Sequence, residues 1–173
     1  MNSAARLSLA LALMGGGCAP ALDWREVHPA DSGVAAMFPC KPASQARKVQ
    51  LGEHALRLEL HVCAAGGATW ALAFADVGEP AQVTPVLDAL RQAAVANLDA
   101  AASSSGAFAV AGATPNRSSL QVSLSGRAPD GRERQERLGL FTKGLRVYQA
   151  TVLGERIDTE AAATFFGGLR VLP

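Results

Sequence analysis

The chain has 173 residues, with 16 Lys+Arg against 15 Asp+Glu, 49% apolar and 18% charged residues. That length suits one ordinary domain, and the apolar share excludes a disordered chain. Without a basic excess there is no electrostatic case for nucleic acid as a partner.

Residues 1–17 read as a bacterial export signal. Arg6 is the only charge, and Leu7 to Met14 form a short apolar core followed by Gly15-Gly16-Gly17. Eight helical residues span about 12 Å, against about 30 Å of hydrocarbon, so this is a signal core and not a permanent span. Small residues followed by Cys18 resemble a lipobox, in which the cysteine takes a diacylglycerol and becomes the new N-terminus. The family usually has Leu three residues before the cysteine, and here that position is Gly15. Ala19-Pro20-Ala21 also fits the A-x-A rule of ordinary signal peptidase, and cleavage there would release a soluble protein. The expected organisation is a signal at 1–17, a tether at 18–22 and one domain at 23–173, with Cys18 lipidated. The mature chain then faces the periplasm from a lipid anchor, most simply on the outer membrane. The alternative is a soluble periplasmic or secreted protein. Losing Arg6 leaves as many basic as acidic residues, so membrane attachment must come from the lipid.

Along the domain, Asp23 to Val27 predicts a first short strand. After a turn at Pro29–Gly33, Val34 to Phe38 predicts a second, stopped by Pro39. Ser44 to Leu51 reads as extended, with a turn at Gly52-Glu53. Leu56, Leu58, Leu60 and Val62 alternate with Arg57, Glu59 and His61, which predicts a strand with its leucines buried and His61 on the polar face. After Ala65-Gly66-Gly67, Trp70, Leu72 and Phe74 share one strand face and alanines the other, as if a helix covered it. Short Gly turns between these strands imply an antiparallel meander.

Thr84 as N-cap and Pro85 at the first helical position predict a long helix to about Ala102, ended by Ser103-Ser104-Ser105-Gly106. Leu120 to Ser125 alternates as a strand, Asp130-Gly131 is a hairpin signal, and strands follow over Glu133–Thr142 and Leu145–Leu153. Ile157-Asp158-Thr159 caps a short helix at Glu160–Phe166, and Leu169–Leu172 closes the chain as a strand. The order predicts an α+β fold: an antiparallel sheet with one long and one short helix packed on it. One contiguous core is expected, holding Trp24, Phe38, Leu58, Leu60, Trp70, Leu72, Phe74, Leu87, Leu90, Tyr148 and Phe165.

With Cys18 lipidated, Cys40 and Cys63 form an even pair in an oxidising compartment, and a disulfide between them is the expected state. Free thiols are one alternative; a metal site using His61, Cys63 and Cys40, with His28 or His54 as a fourth ligand, is the sharper one, but no C-x₂-C or H-x₃-H pairing supports it.

A tryptophan near the mature start, the segment Gly33 to Pro42, the later Cys63 and the tail Phe165-Phe166-Gly167-Gly168-Leu169-Arg170-Val171 resemble small bacterial exported lipoproteins of uncharacterised function. Many such domains are similar to the PsbP-like fold of the photosystem II extrinsic protein, an α-β-α sandwich about an antiparallel sheet. The resemblance implies a fold and a compartment, and no reaction.

Motifs for chemistry are missing. There is no G-x-S-x-G, H-E-x-x-H or G-x-x-x-x-G-K-[ST], and no cofactor is indicated. The histidines His28, His54 and His61 read as exposed or half-exposed polar residues. The densest polar feature runs from Arg127 to Arg137, where Arg127, Arg132, Arg134 and Arg137 offer a possible binding surface for carboxylates or phosphates. Its mixed charges equally suit a solvated hairpin protected against edge pairing. The expectation is a non-enzymatic binding or assembly module with ligand and protein partner open. The alternative is a periplasmic enzyme with a dispersed, motif-less active site.

Overall fold

A computed structural model describes residues 22–173. The export signal, Cys18 and the tether up to residue 21 lie outside the described residues. The elements in chain order are β1 (Arg25–Val27), β2 (Val34–Phe38), β3 (Ala43–Leu51), β4 (His54–Ala65), β5 (Ala68–Asp76), α1 (Pro80–Asn97), β6 (Ala101–Ala107), β7 (Leu120–Arg127), β8 (Glu133–Lys143), β9 (Arg146–Gly154), α2 (Thr159–Gly167) and β10 (Arg170–Val171).

Strands β3 to β9 form a seven-stranded sheet in the order β3-β4-β5-β9-β8-β7-β6, every neighbouring pair antiparallel. A second sheet, β1-β2-β10, is also antiparallel. One face of the large sheet carries α1. The other carries α2 and the small sheet. This is the expected α+β fold, with the two helices on opposite faces of the large sheet. Among the described residues no helix is long and apolar enough to cross a membrane.

The single core expected from the sequence is instead two cores, one on each side of the sheet. On the α2 side, Trp70, Leu72, Phe74, Tyr148, Phe38 and Phe165 pack together. Tyr148 donates to the Ser32 carbonyl at 2.7 Å, tying β9 to the turn before β2. On the α1 side, Val86, Leu87 and Leu90 pack on Leu124, Leu138, Leu140 and Val147. Period-two strands buried on both faces cannot share one core, because alternate side chains point oppositely. Trp24 is only half-buried, edge-on to Trp70 at 5.7 Å between centroids. Leu22, assigned to the tether, packs against the α2-side core.

Two further expectations are corrected. Helix α1 begins at Pro80, with Glu79 as N-cap, so Pro85 lies inside it. Pro80 takes the first-turn place where a missing N–H is harmless, and Thr84 accepts a hydrogen bond from Asn116 Nδ2 instead. The helix also stops at Asn97, and residues 101–107, read as helix end and exit, form edge strand β6 beside β7. Cys40 and Cys63 are disulfide-bonded with Cα atoms 6.0 Å apart, which joins the segment after β2 to β4 and removes both thiolates from metal ligation.

Candidate functional site

Helix α1 covers only part of its sheet face. Its apolar stripe sits on β7, β8 and β9, and its exit is pressed onto β7 at Gly126, where an added Cβ would collide with the Leu98 carbonyl and Ala100. Edge strand β3 reaches α1 from the other side. Between them lies a groove of about 420 Å³, within the usual size range of small-molecule sites. Its floor is Ala71 and Ala73 of β5 with Thr151 of β9. Leu58, Leu60 and Val62 of β4 form one wall, Ala93 and Ala94 of α1 the other.

The alanines explain the opening. Leu60 pairs across to Ala73 and Val62 to Ala71, so large side chains stand beside a low floor that the helix does not fill. The leucine face of β4, expected to be buried, is therefore half-exposed at Leu56, Leu58, Leu60 and Val62. The alanine face of β5, expected under a helix, is covered by α1 at Ala75 and opens into the groove at Ala71 and Ala73.

Glu136 lies at the β8 side of this groove. Its neighbours across the ladders are Leu153 of β9 and Leu124 of β7. Glu136 is 7% exposed, and no hydrogen bond or ion pair engages its carboxyl among the described residues. Burial pushes that carboxyl up to about 7. Nearby on the groove floor, Gln149 Nε2 donates to Thr151 Oγ1 at 3.2 Å. In the sequence Glu136 was one more charge in the Arg127–Arg137 run. The overlooked signal is its phase: Glu136, Leu138 and Leu140 share one face of β8, while Gln135 and Arg137 point the other way.

The opposite face holds a second, polar cleft of about 470 Å³, lined by His61, Ser44, Glu59, Phe74, Asp76 and Arg146 among others. His61 was expected on an exposed polar face. It is 7% exposed and stacks over Phe74 with centroids 6.1 Å apart. Its face of β4 is the one that meets Trp70, Leu72 and Phe74. Desolvation lowers the His61 pKa, opposed by the Glu59 charge, so the imidazole is neutral at neutral pH. Ser44 is its cross-strand partner on β3.

Four of the five charged residues lining this cleft are spent on one another in two pairs. Arg146 clamps Asp76 through two bonds, Nε to Oδ1 at 2.7 Å and Nη2 to Oδ2 at 2.6 Å, which hold the carboxyl below its ordinary range. Arg146 also donates to the Asp31 carbonyl and lies 5.4 Å from the Phe74 ring centre. Arg57 pairs with Glu59 at 2.9 Å. Among the described residues no hydrogen bond links His61 to Ser44 or to a carboxylate.

The arginines of the β7–β8 hairpin do not converge on an open anion site. Arg127 pairs with Glu133 at 3.1 Å, Arg132 with Asp130 at 3.9 Å, and Arg134 with Asp130 and Glu155 at 3.5 and 3.0 Å. Arg137 leaves by the other face and donates to Thr159 Oγ1 at 3.2 Å. His28 sits 2.8 Å from Glu26, far along the chain from His54 at the β3–β4 turn. Searches against protein-family models and against curated proteins return no match to this chain.

Proposed function

We propose that this protein is a lipid-anchored, periplasm-facing module of the cell envelope that binds a small ligand with an apolar body, without catalysing a reaction. The observation that carries the reading is the α1 groove: half-exposed leucines facing a floor of alanines, held open by the fold. Free hydrocarbon wall of this kind gains about 25 cal/mol for each Å² that a ligand covers. Membrane attachment rests on the Cys18 lipobox. Two experiments test the two halves. Radiolabelled palmitate should enter the wild type and not Cys18→Ser; an unlabelled wild type starting at Leu22 overturns the anchor. The isolated protein should bind the neutral apolar dye Nile red, and Ala93→Trp, which fills the groove from the helix side, should abolish binding while leaving the circular dichroism unchanged. Binding that survives Ala93→Trp overturns the groove as the site.

A second reading has its own observation. Ser44 and His61 stand side by side in a cleft lined by three acidic residues, Asp31, Glu59 and Asp76, which is the raw material of a serine hydrolase. An enzyme there requires the serine–histidine contact to form on substrate binding. A fluorophosphonate probe that labels wild type but not Ser44→Ala would support it. No labelling leaves the binding module as the account of both faces.

A further inference from the structure

The groove is mostly apolar, yet Glu136 sits in it nine-tenths buried and, among the described residues, without a partner. Its carboxyl oxygens are not sealed, since Ser119 Oγ is the one fully buried unpaired side-chain polar atom among the described residues, so the covered side chain presents its carboxyl to the groove. Among the described residues, neighbouring side chains offer no free counter-charge. The ladder neighbours Leu124 and Leu153 are hydrocarbon. Ala94 and Asn97 of α1, which line the same groove, are uncharged. On its own strand Arg134 is committed to Asp130 and Glu155. The other charged residue of the lining, Arg47, is on edge strand β3, with β4, β5 and β9 between. What the site lacks is a cation or a strong donor, delivered on an apolar body.

Resting on the reading of the groove as a ligand site, we propose that its ligand is an aliphatic amine, whose hydrocarbon lies against Leu58, Leu60 and Ala73 and whose ammonium group pairs with Glu136. The two groups are complementary in charge, and a charge-assisted hydrogen bond is stronger than a neutral one. An alcohol of equal length gains the hydrocarbon contact and a weaker bond. A carboxylate of equal length places like charge beside Glu136, or reverses so that its head lies at Arg47. The ranking is therefore amine over alcohol over acid. Pairing with the ammonium also favours the ionised form of Glu136, so near and below neutral pH binding must expel a proton from that carboxyl.

The test uses n-octylamine, 1-octanol and octanoate as probes on the isolated protein, by titration calorimetry and by displacement of Nile red. At about pH 8 the amine should bind at least about tenfold more tightly than octanoate, the worth of one hydrogen bond to a charged group. Near pH 6 octylamine binding should release a proton, read from calorimetry in two buffers of different ionisation enthalpy. Both effects should vanish in Glu136→Gln, in which octylamine should bind no more tightly than 1-octanol. The wild-type ranking and the proton release decide the matter even without the variant. Octanoate binding as tightly as octylamine overturns the amine, and an amine preference that persists in Glu136→Gln overturns its pairing with Glu136; either result leaves the groove as a ligand site. If Nile red and all three probes fail to bind, the groove reading falls and the amine with it.

Discussion

Glu136 occupies a β8 position in line with Leu138 and Leu140, where hydrocarbon is the comfortable choice. Its unfolded carboxyl titrates near 4.5, its folded one near 7. Between those values the folded state keeps a proton that the unfolded state has lost, so stability falls as pH rises through this window, and above 7 the full penalty is present. Glu136→Gln should therefore be more stable than wild type above pH 7, by on the order of 2–3 kcal/mol. The gap should close below about pH 4.5, where both side chains are neutral. Urea unfolding at a series of pH values measures this, and a pH-independent gap would refute a titrating Glu136. Trp70 shows the opposite kind of residue. It is 2% exposed, donates to the Ala65 carbonyl at 3.0 Å and meets Phe165 edge-on. Trp70→Ala should cost about 3–5 kcal/mol. Arg134→Ala should stay within about 1 kcal/mol, because its carboxylate partners are well exposed. The aromatic core was legible from period-two spacing. Glu136 and His61 were not, because both carry polar side chains at positions whose burial depends on which strands and helices lie opposite.

At the level of elements, the sequence announced most strands, because alternation and Gly turns are local signals. It misplaced both ends of α1. Pro80 and Pro85 both fit a helix start, and only the packed helix chooses between them. Strand β6 was hidden because Ala and Ser carry no alternation; pairing with β7 creates it. The groove was legible only in its parts, alternating leucines and alternating alanines, since what leaves them uncovered is where α1 comes to rest. Gly126 sets that position. Gly126→Ala should lift the helix exit off β7 and cost about 1–3 kcal/mol, as overpacking does, and it should alter Nile red affinity more than Gly167→Ala, which meets open space at the end of α2 on the other face. Equal dye affinity in the two variants would detach the groove from the helix position. The Cys40–Cys63 bridge ties the chain at a different place, with a sequence separation of 23. Closing a loop of that length is worth about 3 kcal/mol in chain-entropy terms. Cys63→Ala should then lower the melting temperature by roughly 6–12 °C for a domain of this size.

At the scale of the whole molecule, the seven-stranded sheet is a shared wall between two cores that do not touch. Val152 faces α2 and Val86 belongs to α1, and both are fully buried. Truncating either to Ala should cost roughly 1–3 kcal/mol by removing packed methyl groups. The sheet separates the two sites and they share no partner, so their costs should add within about 0.5 kcal/mol. Yet the protein should still unfold in one transition, because neither core can melt without stripping one face from the strands that the other needs. Additive energies with a single transition identify a sheet that transmits stability and not local packing. A double variant that unfolds in two steps would mean that α1 detaches as a separate unit. A coupling well beyond 1 kcal/mol would mean that strain crosses the sheet. In that case a ligand in the α1 groove would be felt at His61 and Ser44 on the far side, and the two faces would have to be read as one site.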